Sequence, residues 1–187
     1  IAETASTFCE TIVKKSALKR ASKQEQLMIL ESELSDCAQV IVDIYSRFLF
    51  ESRFIEKRKE GPLSVEETKE LMLNAQKEAY GHGLDHNVLH PYMWTWKPHY
   101  YEADYAFYNF PYAFGLLLAK GLYGMYVKEG DTFSDTYEKL LSVTGKNNLE
   151  DVCKVVGIDI TSLDFWQNSI DMIKEDIGLF KQLLENQ

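Results

Sequence analysis

Apolar positions step through the start of the chain as Ile1, Ala5, Phe8, Ile12 and Val13. This three-and-four spacing predicts a helix over residues 1 to about 19 with those side chains turned to a core. Glu3, Ser6 and Glu10 form a second stripe on the same helix, at i, i+3 and i+7. Ser22 followed by Glu25 spells a capping box that opens a long helix to about Lys59. Along it Leu27, Leu30, Leu34, Cys37, Ile41, Ile44 and Phe48 step alternately by three and four and predict one buried face. Gly61-Pro62 ends that helix, and a second capping box, Ser64 to Glu67, starts another that runs to about Tyr80. Residues 81 to 103 then lose all period and fill with Gly, Pro, His and Trp, which predicts a structured loop. From about 105 to 127 the chain is apolar almost all round, the pattern of a helix enclosed by protein; its stripe Phe107, Phe110 and Phe114 is assigned to core packing, as are Trp94 and Trp96. Shorter helices over about 132–143, 149–156 and 163–184 complete a pattern without strand or repeat. The predicted fold class is all-α.

Composition narrows the function. The chain has 187 residues, 45% hydrophobic and 13% aromatic, enough to build a core and too apolar for disorder. A net charge of −9 argues against nucleic acid and anionic membranes as partners, since both require a basic face. Cys9, Cys37 and Cys153 are odd in number, far apart and in no metal-ligand spacing, so they read as reduced thiols of a cytoplasmic protein. The 105–127 run has the length of a membrane span, but Asn109, Pro111, Lys120 and five tyrosines would be costly in lipid. His82, His86 and His90 are spaced by four, as zinc-binding histidines on a helix are. Gly81, Gly83 and Pro91 interrupt that helix, so these read as solvated loop histidines. The chain opens within helical texture, without an initiator methionine or signal segment, which predicts the C-terminal part of a longer protein.

The stretch KPHYYEADYAFYNFPYAFG, residues 97 to 115, holds one histidine, five tyrosines, three phenylalanines and two prolines. Leucines would fill a core without polar atoms to satisfy, and each buried phenol needs a partner. A cluster of them predicts a lined cavity in which hydrogen-bond donors await a ligand.

The longer segment HPYMWTWKPHYYEADYAFYNFPYAFG resembles the substrate-site segment of the oligoendopeptidase F family, within the thimet-oligopeptidase-like zinc peptidases. IAETASTFCE at the start is similar to that family's segment carrying the third zinc ligand. LLSVTGKNNLEDVCKVVGIDI and DFWQNSIDMIKEDIGLF resemble its closing helices. The resemblance implies an all-helical, clam-like zincin that hydrolyses short peptides with one zinc ion (Zn2+), residues 1–187 being the C-terminal part of its catalytic domain. It further implies Glu3 as a metal ligand, His99 facing the substrate, and Tyr108 and Tyr112 donating to the scissile carbonyl as it becomes an oxyanion. Tyr101 and Tyr105 would be further substrate-binding wall residues. The implied partners are short peptides and the missing N-terminal part of the same protein. No His-Glu-x-x-His occurs in the 187 residues, so two zinc ligands and the general base are expected upstream of them. A non-catalytic helical peptide-binding module and a purely structural bundle are the alternatives. The peptidase reading expects Glu3 to share a concavity with His99 or a tyrosine, and aromatic residues of 92–112 and one side of the first helix to be exposed.

Overall fold

The computed structural model describes residues 2–185 and contains eight α-helices and no strand among them. They are α1 (Ala2–Leu18), α2 (Lys23–Ala38), α3 (Ile44–Arg58), α4 (Val65–Tyr80), α5 (Phe110–Glu129), α6 (Phe133–Val143), α7 (Leu149–Lys154) and α8 (Leu163–Glu185). The all-α class holds. Both predicted capping boxes form: Ser22 N–H donates to Glu25 Oε2 at 2.7 Å, and Ser64 N–H donates to Glu67 Oε2 at 2.9 Å. The backbone N–H of Ser64 is the chief cause that holds the Glu67 carboxyl down at about 2. The apolar run begins its helix at Phe110, not at 105, because the residues before it are spent in turns. No helix among the described residues is long and apolar enough to cross a membrane.

The chain divides into two compact units, residues 1–35 with 114–187, and residues 36–113. In the first, Phe8 packs with Leu118, Leu122, Phe133, Leu140 and Val152. The middle of α5, residues 115–122, is enclosed there, and Gly115 comes so close to α1 that an added Cβ would sit 3.3 Å from Glu3 Cβ. The face of α1 differs from the expectation. Thr4, Phe8 and Thr11 are buried while Val13 is 66% exposed, and Ile1 lies outside the described residues. Thr11 spends its hydroxyl on the Thr7 carbonyl at 2.8 Å, a back-bond that lets a polar side chain be buried in a helix.

Lys120 is buried inside the apolar face of α5, paired with Glu33 of α2. Glu33 also takes Lys14 at 2.6 Å, and Lys15 pairs with Asp176 of α8. Burial opposes ionisation of Glu33, but Lys120 and Lys14 outweigh it and hold the carboxyl below its ordinary value.

The second unit is built on α3 and α4, two helices joined by the short connection through Gly61-Pro62 and packed along Phe50, Met72 and Ala75. The predicted long helix is interrupted by a π-turn, Gln39–Asp43. A π-turn carries an extra residue and rotates everything after it. The periodic stripe therefore ends at Ile44: Phe48 is exposed, and Asp43, Ser46, Arg47, Phe50 and Glu51 are buried in its place. Phe110 is likewise 57% exposed and not core, since it precedes the enclosed part of α5.

Two measurements test this packing. Phe8→Ala costs about 3–5 kcal/mol in urea unfolding while Val13→Ala stays within about 0.5 kcal/mol; equal costs would restore the periodic face. Because the Glu33 carboxyl is depressed, its stabilisation is present above the ordinary glutamate value and is lost as pH falls through the lower folded one. The melting temperature should therefore fall below about pH 4.5, with a flatter fall in Glu33→Gln, itself less stable at neutral pH because the buried Lys120 loses its counter-charge while Lys14 keeps Glu10.

Candidate functional site

The aromatic segment leaves α4 at Gly81, whose φ of +53° suits a residue without a side chain. Gln76 of α4 then clamps the loop from both sides: its amide donates to the His90 carbonyl at 2.9 Å, and its oxygen accepts from the His90 N–H at 3.2 Å. His86 Nε2 lies 2.7 Å from the Gly81 carbonyl, and His90 Nδ1 accepts from the Tyr92 N–H at 3.1 Å, so both serve the loop's own backbone. Short 3-10 turns follow at Met93–Trp96, Pro98–Tyr100 and Ala103–Tyr105. The turn at Pro98–Tyr100 sends successive side chains different ways. Tyr100 goes into the unit's core, edge-on to Phe50 at 5.3 Å between ring centroids, while His99 joins the tyrosines.

Four of the sequence-predicted site residues meet in one aromatic cluster. The His99 ring stacks on Tyr108 at 5.6 Å and 14°, and meets Tyr112 edge-on at 6.2 Å. Tyr105 lies 4.7 Å from Tyr108, and Tyr108 lies 6.3 Å from Tyr112. His99 Nδ1 is buried without a hydrogen-bond partner. Tyr101 turns away from the cluster and donates to the Trp94 carbonyl at 3.4 Å. Tyr92, Trp96, Tyr101, Tyr105, Tyr108 and Phe110 are exposed, as expected of this region; for Trp96 this replaces the packing role with a ring over which Lys97 Nζ sits at 3.5 Å.

Beneath the cluster lies a set of charges that the sequence reading passed over. Arg47 is buried against Asp43 and donates to Asn109 Oδ1 at 3.2 Å, and Tyr80 donates its hydroxyl to Asp43 at 3.2 Å. Lys97 is buried nearby, and its ammonium is pulled down first by burial and then by Arg47. Glu51 accepts from the Phe107 N–H at 2.7 Å. Phe107 has φ +57°, the left-handed region rare for a bulky side chain, so this bond holds the backbone that places Tyr105 and Tyr108. Burial raises the Glu51 carboxyl above its ordinary value, opposed by the Phe107 N–H and His99. The signal was in the sequence: Asp43, Arg47 and Glu51 recur every four residues along one helical stripe. A cavity of about 550 Å3 adjoins this set, with His99, Glu51, Tyr100 and Tyr101 among its walls.

Glu3 stands in the first turn of α1, in the other compact unit, with its side chain exposed. Ser6 donates its hydroxyl to the Glu3 carbonyl at 3.0 Å, and Glu10 pairs with Lys14 at 2.7 Å. Among the described residues no group of three or more His, Cys, Asp or Glu side chains is arranged to hold a metal ion. Glu3 alone does not make a zinc site, which takes three protein ligands and an open position.

Residues 1–172 match the sequence profile of Peptidase family M3. The chain is 26% identical over 186 residues to Oligopeptidase PepF of Bacillus subtilis, covering 98% of this chain and 27% of that protein. It is 24% identical over 192 residues to the Oligoendopeptidase F homolog of Borreliella burgdorferi, covering 98% and 31%. The chain thus spans less than a third of the length of these curated relatives. Its fold matches the crystal structure of oligoendopeptidase-F from Enterococcus faecium with a TM-score of 0.86 at 21% identity, over all of this chain and 36% of that one. The resemblance read from the sequence to the oligoendopeptidase F family is borne out.

The buried charges under the cluster generate a prediction. Arg47→Met alone leaves Asp43 buried without its counter-charge and costs about 3–5 kcal/mol in urea unfolding. Adding Asp43→Leu recovers most of that loss, because an apolar pair needs no desolvated charge. A double variant no more stable than the single one would refute the pairing.

Proposed function

Because the chain belongs to peptidase family M3, we propose that it is the part of a zinc-dependent oligopeptidase that binds short peptides and stabilises the reacting carbonyl. The observation that supports this most is His99, with a buried unpartnered Nδ1, stacked on Tyr108 and edge-on to Tyr112. Buried polar atoms are nearly always paired, so an orphan in a cluster of donors is consistent with a place kept for a ligand. In this reading His99, Tyr108 and Tyr112 aim hydrogen bonds at the scissile carbonyl oxygen where negative charge develops. Phenols suit that role, since they remain protonated near neutral pH and cost less to bury than a cation. Tyr105 supports Tyr108 from the side, and Tyr101 lines the approach.

Glu3 is proposed as one ligand of a catalytic zinc, which when bound would supply Lewis-acid activation for peptide hydrolysis. The described residues do not complete that site, so the other two ligands and the base would be contributed by residues outside this sequence, as part of the same protein. A cytoplasmic setting is proposed as well, and the three unbridged cysteines suit it.

Zinc content and turnover in the complete enzyme separate these roles. Glu3→Ala abolishes peptide hydrolysis and zinc retention. His99→Ala and Tyr108→Phe retain zinc and lower kcat by ~100-fold or more, the loss of an oxyanion donor. Full activity of Glu3→Ala would refute the ligand, and zinc loss in Tyr108→Phe would refute the donor role. A complete protein that binds peptides without cleaving them would favour the non-catalytic alternative.

A further inference from the structure

The cavity of about 550 Å3 in the second unit lies within the range of small-ligand pockets, roughly 300–1,000 Å3. Phe54, Leu63 and Trp94 form apolar walls, contributed by α3, the connection before α4 and the aromatic loop. Two polar groups on the lining are left incomplete. Glu51 is more than nine-tenths buried; one oxygen accepts from the Phe107 N–H and the other makes no hydrogen bond. The Tyr100 hydroxyl is buried without any partner. A buried atom such as the Tyr100 hydroxyl persists unpaired in a folded protein where a ligand or water completes it. His99, on the same lining, is the residue that stacks on Tyr108, so the cavity and the proposed donor cluster share a wall.

We infer that this cavity is a subsite for a bulky apolar side chain, preferentially aromatic, of a bound peptide, with the free oxygen of Glu51 accepting a backbone N–H of that residue. The peptide class rests on the proposed function. The preference rests on the walls, which offer aromatic and aliphatic surface to a side chain and an acceptor to the amide beside it. Glu51, Arg58 and Glu102 also reach the lining, but aromatic and aliphatic side chains such as Phe50, Phe54, Leu63 and Trp94 supply most of it, so the area buried favours a bulky apolar residue.

Blocked amino acids test the subsite apart from catalysis, since they contain no internal peptide bond to cleave. N-acetyl-phenylalanine amide and N-acetyl-alanine amide are titrated into the protein, with tryptophan fluorescence and calorimetry as readouts. The phenylalanine probe is expected to bind tighter by roughly tenfold or more, and Trp94→Phe should remove the fluorescence change. Ala106→Trp and Val65→Trp, at two exposed positions on different walls, fill the cavity and should each weaken the phenylalanine probe by roughly tenfold with the melting temperature unchanged. Equal binding of the two probes, no binding of either, or unchanged affinity in both filled variants would overturn the subsite. Toluene, which has no hydrogen-bond donor, binding as tightly as the phenylalanine probe would overturn the role of Glu51 and the peptide backbone. Selective binding together with a complete enzyme that never hydrolyses peptides would instead defeat the peptidase reading alone.

Discussion

Arg47 and Asp43 are buried together on one helix, and the organisation of the second unit depends on that pair. Removing two charges from water is costly, and their mutual attraction offsets the cost only when further hydrogen bonds complete them. Those bonds come from elements far apart in sequence: Tyr80 at the end of α4 donates to Asp43, and Asn109 before α5 accepts from Arg47. The pair therefore joins both ends of a long irregular loop to the same turn of α3. It adds to the Gln76 clamp on His90 and the Glu51 bond to Phe107, which hold the same segment of few regular backbone hydrogen bonds.

The π-turn at Gln39–Asp43 is what brings these charges inward. An unbroken α-helix would have carried the apolar stripe on to Phe48. One extra residue rotates Asp43, Arg47 and Glu51 into the interior instead, and each then holds part of the aromatic loop. Glu51 secures the left-handed Phe107, on whose two sides lie Tyr105 and Tyr108. The first unit uses buried charge differently. Lys120 and Glu33 join α5 to α2, and Lys14 of α1 shares the same carboxylate.

Tyr105, Tyr108 and Tyr112 gather beside the His99 imidazole through ring contacts of 4.7 to 6.3 Å. Tyr105 and Tyr108 are exposed, whereas the Tyr101 hydroxyl is taken by the Trp94 carbonyl, and the backbone of these residues is set by turns and by the Glu51 carboxylate. The match to peptidase family M3 gives this arrangement its chemical context.

Local signals in the sequence were sufficient for the helices, because capping boxes, glycine stops and apolar periodicity act over a few residues. Ser22 with Glu25, Ser64 with Glu67, and Gly61-Pro62 each mark a boundary that the structure keeps. His99 and the tyrosines were legible as a group because so many phenols in one stretch are costly as mere filling. Tertiary structure alone decided which faces were buried. Val13, Phe48 and Phe110 fit an apolar period and are exposed, while Thr4, Thr11, Arg47 and Glu51 are buried, because burial depends on the neighbour a face meets and not on its own period. The wide turn that redirects α3 leaves no mark in composition, and the four-residue spacing of Asp43, Arg47 and Glu51 shows a shared stripe but not its burial, which needs partners up to 62 residues away.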